Sequence, residues 1–205
     1  MSHPAVIDPV PHNRSRLGTW LGLIFHPFTV FIPALIVVLR DTAPLVAVGW
    51  VAFIAVMILV PLLLLIHLAR RQGRYTYQRG TRYPLYLAFW ASMMVCVGLA
   101  VLLDAPERLV LALLTLVIWV PLQATFNARL TKVSAHTAVV TGILVTLFLM
   151  GDLDSPCLVA GAVGIVGATA WARVVTGHHS VLQVSLGIMV STTAVIAADG
   201  LLMML

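Results

Sequence analysis

Apolar residues run along this chain in long blocks, and the short stretches between the blocks hold nearly all of its charge. The blocks cover about residues 17–39, 45–68, 83–103, 109–126, 134–151, 157–175 and 180–205. Each is close to the roughly 20 residues that an α-helix needs to cross the hydrocarbon of a bilayer. Their edges are charged or turn-forming: Arg40-Asp41, Arg70-Arg71, Asp104 to Arg108, Asn127 to Lys132, Asp152 to Asp154 and Arg173 to His179. The pattern predicts an all-α fold, a polytopic transmembrane helix bundle of about seven spans. Residues 1–16 form a polar tail, and residues 17–205 a single transmembrane domain. Pro27, Pro33, Pro61 and Pro121 fall inside apolar blocks. They predict kinks rather than breaks, because neighbouring helices can satisfy the backbone groups that a proline frees.

Composition points the same way. The chain is 61% hydrophobic and 9% charged, whereas a soluble domain carries about 25% charged residues. Its mean hydropathy is +1.06. The polar tail holds Pro4, Pro9 and Pro11 and has no small-residue cleavage motif before the first block, so no cleavable signal is expected. Cys96 and Cys157 lie in or beside apolar blocks, without a disulfide framework or a CxxC metal motif. The net charge of +5 would suit nucleic acid in a soluble chain. Here the apolar content and the placement of the arginines favour membrane phosphates, and no nucleic-acid partner is expected. Gly161, Gly164 and Gly167 predict close helix packing in the sixth block.

Seven crossings put alternate connections on opposite sides of the membrane. All but Arg40 and Arg108 of the 12 lysines and arginines then share one side, with the tail, the 70–82 loop and the turns near 130 and 177. The other side carries Asp41, Asp104, Glu107, Asp152 and Asp154. A cytoplasmic basic side follows from the excess of lysine and arginine in cytoplasmic loops. Arg79, Arg82, Lys132 and Arg173 could be there to bind phosphate instead, but setting them aside leaves the same asymmetry.

Three segments on the basic side carry candidate chemistry. In Lys132-Val-Ser134-Ala-His136-Thr137, Ser134 is a candidate N-cap, which puts His136 in the first turn of a helix, where an anion is favoured. In Arg173-Val-Val-Thr-Gly177-His178-His179-Ser-Val-Leu-Gln183, Gly177 allows a turn, and Gln183 falls one helical turn beyond His179 on the same face. The third segment is Arg79-Gly-Thr-Arg82-Tyr-Pro84. Singly, His136 and His179 read as helix caps at headgroup level. Their joint spacing with Arg173 favours a site. His26, ahead of Pro27, reads first as a buried histidine bonded to backbone beside a kink, with a pocket role as the alternative. Zinc motifs, a GxSxG elbow and a Walker loop are absent from the sequence.

Together these segments resemble the type 2 phosphatidic acid phosphatase superfamily of membrane lipid phosphatases, in a divergent bacterial-type branch. The superfamily's signature is written Kx6RP, PSGH and SRx5Hx3D. The third part appears as Ala172-Arg173, five residues, His179, three residues, Gln183, and the second as Val133-Ser134-Ala135-His136. The first is degraded, with Arg82 ahead of Tyr83-Pro84 and Tyr75 at the lysine position, so that Arg74 or Lys132 would supply the missing charge. The likeness is strongest over residues 70–200 and implies a six-helix lipid-phosphatase-like core in the bacterial cytoplasmic membrane. It implies a phosphatase without metal or cofactor that acts on a membrane lipid. Candidate substrates are phosphatidate, phosphatidylglycerophosphate and polyprenyl diphosphates. By the resemblance, His179 would attack phosphorus, His136 would protonate the leaving oxygen, and Gln183 would orient His179 in place of the family's aspartate. Arg173 and Arg82, with Lys132, Arg79 and Ser134, would hold the phosphoryl oxygens. Gln183 cannot stabilise an imidazolium by charge. Two alternatives therefore stay open: a diphosphate-using prenyl transferase or cyclase, and a non-catalytic lipid-phosphate binding protein or flippase.

Overall fold

The computed structural model describes residues 15–71 and 79–204; of Phe28, Leu59, Leu62 and residues 79–86 it describes the backbone course alone. The described residues form an all-α bundle, as the hydropathy pattern predicts. Its helices are α1 (Arg16–Ile24), α2 (Pro27–Val38), α3 (Pro44–Ile54), α4 (Val60–Arg71) and α5 (Arg79–Leu102). They continue with α6 (Glu107–Arg129), α7 (Ala135–Leu149), α8 (Pro156–Val175) and α9 (Val181–Leu202). Five stretches are long and apolar enough to cross a membrane: Arg16–Val38, Pro44–Arg71, Glu107–Arg129, Pro156–Val175 and Val181–Leu202. Leu87–Leu102 and Ala135–Leu149 are shorter apolar helices. The arrangement fits an integral membrane protein.

The prolines act in three different ways. Pro33 and Pro121 lie inside continuous helices, as expected. Pro61 has no N–H to donate and its ring crowds the preceding turn. Just ahead of it the helix widens into a π-turn, Ala55–Leu59, with the Val60 N–H donating to the Ala55 carbonyl. At Pro27 the expected kink is instead a break at Phe25-His26. A residue before proline avoids the helical region, and a proline suits the first position of a new helix. The break is stitched by the His26 N–H donating to the Leu23 carbonyl at 3.2 Å and by the Thr29 hydroxyl donating to the same carbonyl at 3.2 Å.

One apolar core joins the ends of α2 and α3 to α5 and α6 through Val38, Ile54, Ile58, Met93, Cys96 and Leu109. The Trp90 indole N–H donates to the Val117 carbonyl at 2.9 Å, which satisfies a polar atom inside the α5–α6 contact. On the other side α6 and α7 both pack extensively against α9. The α7–α9 contact is close enough to need glycine. A Cβ on Gly187 would lie 2.8 Å from the Ser134 carbonyl oxygen, and one on Gly142 would lie 2.6 Å from Ser191 Oγ. The start of α7 is thereby seated on the first turns of α9.

At one end of the bundle the α2–α3, α5–α6 and α7–α8 connections meet in an ion cluster. The buried Asp152 takes Arg40 Nη1 at 2.6 Å on one carboxylate oxygen and Arg108 Nη1 at 2.8 Å on the other. Arg108 Nε also lies 3.6 Å from Asp41. Both basic residues expected on the acidic side therefore have carboxylate partners there.

Candidate active site

The opposite end collects the predicted site residues at three helix termini. Ser134 N-caps α7: its Oγ accepts from the Thr137 N–H at 3.4 Å and lies 3.0 Å from Thr137 Oγ1. His136 is therefore in the first turn, as the sequence predicts. Ser134 itself is completely buried. In this structure its hydroxyl serves the start of the helix. The α6–α7 turn is held by the Val133 N–H donating to Asn127 Oδ1 at 2.7 Å, and by the Ser134 N–H donating to the Gln183 carbonyl at 3.1 Å. The second bond ties the His136 segment directly to the segment that carries His179.

The α8–α9 turn is built on Gly177, whose φ of +71° is left-handed and suits glycine. The Arg173 carbonyl accepts from the N–H groups of His178 and His179, both at 3.1 Å. The chain then enters α9 at the N-cap Ser180, in a capping box with Gln183. The Gln183 N–H donates to Ser180 Oγ at 3.3 Å, and Gln183 Oε1 accepts from the Ser180 N–H at 3.3 Å.

This box sets the chemistry of His179. A backbone N–H is always a donor, so the amide atom facing Ser180 must be the oxygen. The same oxygen lies 2.9 Å from His179 Nδ1. Nδ1 therefore carries the proton, and Nε2 keeps its lone pair. The Gln183 amide nitrogen in turn donates to Thr131 Oγ1 at 3.0 Å, which locks the amide against rotation. A glutamine thus performs the orienting task expected of position 183, without negative charge. Burial pushes the His179 pKa below its usual value. The Gln183 hydrogen bond opposes that shift, while the charges of Arg173, Lys132 and His178 add to it. His179 is held as a neutral imidazole, the nucleophilic form.

His178 faces away from this chain of bonds. Its Nδ1 lies 2.8 Å from Thr176 Oγ1, whose own hydrogen goes to the Ala172 carbonyl at 2.6 Å. Its pKa is also lowered, first by burial and then by Arg173 and Lys132. Arg173 lies at the end of α8, and its Nε is buried without a hydrogen-bond partner among the described residues. Lys132 is exposed but close enough for its charge to act on His178 and His179. His136 lies within electrostatic reach of Arg173, His178 and His179. The structure thus brings together His136, Arg173, His179, Gln183 and Lys132. Arg79 and Arg82 are in the first turn of α5, and their side chains lie outside the described residues, as do Arg74 and Tyr75 altogether.

Sequence reasoning missed one member of the cluster and ranked another as structural first. Thr131, the anchor of Gln183, carries no signal in the chain. His26 lies with its ring centroid 4.8 Å from that of His136. The pair His26-Pro27 was its only sequence signal, since a proline at that point favours the break that brings it here. Beneath the site an apolar cavity lies between α2, α6, α7 and α9, lined by Phe31, Leu35, Trp119, Val139 and Ile143 among others. Its lining on α7 starts at Ala138 and Val139, about one turn into the bundle from His136, and includes none of the site histidines. No family model, curated protein or solved structure matches the chain.

Proposed function

We propose that the protein is an integral membrane phosphatase that hydrolyses a lipid phosphate or prenyl diphosphate through a phosphohistidine, without metal. The observation that carries this reading is the His179–Gln183–Thr131 chain, which leaves Nε2 unprotonated, with Arg173 and His136 within electrostatic reach of the ring. The Nε2 lone pair attacks phosphorus, and the bond from phosphorus to the leaving oxygen breaks. His136, which takes up a proton as the anionic phosphate binds next to it, gives that oxygen its proton. Water then attacks the phosphohistidine and passes a proton to His136, the P–N bond breaks, and His179 returns to its neutral form. Arg173 and the first-turn N–H groups of α7 suit the charge spread over the phosphoryl oxygens. The apolar cavity below His136 supports a substrate with a hydrocarbon chain. The basic end, with this site, is taken as the cytoplasmic face of a bacterial cytoplasmic membrane. Cysteine labelling of the 70–82 loop tests that side, and labelling from outside alone overturns it.

One observation favours a second reading. Gln183 offers His179 no countercharge, which would slow a step that builds positive charge on the ring. A non-catalytic lipid-phosphate binder or flippase, or a prenyl transferase or cyclase, would tolerate that. The purified protein in detergent, given a panel of lipid phosphates and diphosphates with EDTA present, separates these readings. Phosphate release that is lost in His179→Ala supports the phosphatase. No release from any lipid, or full release by the variant, sinks it.

A further inference from the structure

Three residues from the first apolar block face the site in a row. Gly18 and Gly22 are spaced by four on α1, the repeat that aligns residues along a helix, and His26 follows in the break just beyond its end. A Cβ on Gly18 would lie 2.7 Å from Val175 Cγ1, and one on Gly22 would lie 3.6 Å from Arg173 Nη1. Glycine at position 18 lets α1 sit against the end of α8, and Gly22 faces the guanidinium there at ordinary contact distance. At the end of the row the His26 ring meets the His136 ring edge to face, with 4.8 Å between centroids and 88° between planes. The break before Pro27 turns the chain here, so that His26 lies where α1 stops and α2 begins.

The hydrogen bonds around Ser134 fix the backbone of the α7 start, but they do not act on the His136 ring. The ring torsion of a histidine is broad and is set by what the ring touches. His26 supplies such a contact, in the edge-to-face geometry that aromatic rings prefer. We propose that His26 is a positioning residue for His136, holding the plane of that imidazole so that its N–H meets the leaving oxygen. The inference rests on the phosphatase reading above. It makes the first block part of the site, beyond the stretch that carries the motif resemblance.

A proton donor matters in proportion to the basicity of the leaving group, and a general acid contributes roughly 10²–10⁴-fold where it is needed. His26→Ala is therefore expected to lower kcat for a short-chain phosphatidate by roughly tenfold, a fraction of that range. KM should be unchanged, and the initial burst of p-nitrophenol from p-nitrophenyl phosphate, which reports the first step alone and whose leaving group needs no proton, should be little changed. His26→Phe keeps an edge-to-face ring and should restore most of the rate. In a His136→Ala background, His26→Ala should cause no further loss, since its effect passes through His136. Should His26→Ala not purify as a monodisperse species, His26→Gln carries the same comparison. A loss in the p-nitrophenol burst equal to the loss on phosphatidate, or an additive loss in the His136→Ala background, overturns the positioning role. If the parent protein releases phosphate from neither substrate, the phosphatase reading falls, and the inference with it.

Discussion

At the end formed by the α2–α3, α5–α6 and α7–α8 connections, Arg40 and Arg108 both reach the buried carboxylate of Asp152. At the opposite end Arg173 lies beside His136, His178 and His179, and its Nε has no hydrogen-bond partner among the described residues. The acidic residues divide just as sharply. Asp41, Asp104, Glu107, Asp152 and Asp154 belong to the first end, and Asp199 is in the turn of α9 that approaches it. Among the described residues, none belongs to the second. An apolar bundle gains nothing from gathering cations without counter-ions, since each charge near hydrocarbon is costly. One end is therefore a staple, closed within the chain, and the other, on the proposed reading, takes its anion from outside. That reading extends to topology: it assigns part of the charge bias that would orient this chain in the membrane to the binding of an anion.

The sharpest way to break this comparison is at Arg173. Arg173→Gln is expected to lower kcat/KM for the lipid phosphate roughly 10²–10³-fold, the usual loss when one donor to a developing oxyanion is removed. Arg173→Lys should recover little, because an ammonium lacks the planar fork of the guanidinium. Steady-state kinetics read both, and near-parental rates would remove Arg173 from the site.

The staple end should respond in the opposite sense. Asp152→Asn strands Arg108 and Arg40. A broken buried ion pair costs about 3 kcal/mol at the lower end of its range, and the lower end applies because Arg40 is half-exposed. Thermal unfolding in detergent should show the loss, while activity per folded molecule stays unchanged. A parallel fall in specific activity would mean that the two ends are not independent.

Position 183 sharpens the comparison by returning a carboxylate to the cationic end. With its pKa pushed down, His179 stays neutral, and so reactive, to a pH below its usual value of about 6.5. Activity is then lost only as the pH falls through that lowered value. In Gln183→Asp the added negative charge favours the imidazolium, so the acid limb of the rate profile should move up by about one pH unit. An unmoved limb would separate the profile from His179. The smallest effect is expected at Thr131. Thr131→Val removes one hydrogen bond to the Gln183 amide, worth about 1 kcal/mol, and should lower kcat about fivefold.

Local signals in the sequence were enough for much of this. Block edges marked the helix ends to within a few residues, because charge and turn residues punctuate an apolar chain. Ser134 as N-cap, the glycine turn at 177 and the His179–Gln183 pair all follow from spacing along one helix. What escaped were contacts between segments far apart in sequence. Asp152 with Arg40 and Arg108, Thr131 with Gln183 and His26 with His136 carry no local pattern, since each depends on how the helices pack. The break at His26 was half legible: His26-Pro27 announces a disturbance, but neighbours decide between a kink and a break. Ser134 shows the converse, since its place as N-cap is local and legible, while its complete burial follows from the packing of α7 on α9.

The most direct measurement is a search for the covalent intermediate. The purified His136→Ala protein, mixed with p-nitrophenyl phosphate and quenched in alkali to preserve a phosphoramidate, should carry a phosphoryl group on Nε2 of His179. The same treatment of a His179→Ala protein should leave no adduct. Phosphate release by the parent protein with no adduct on His179, or an adduct on another residue, would contradict the account.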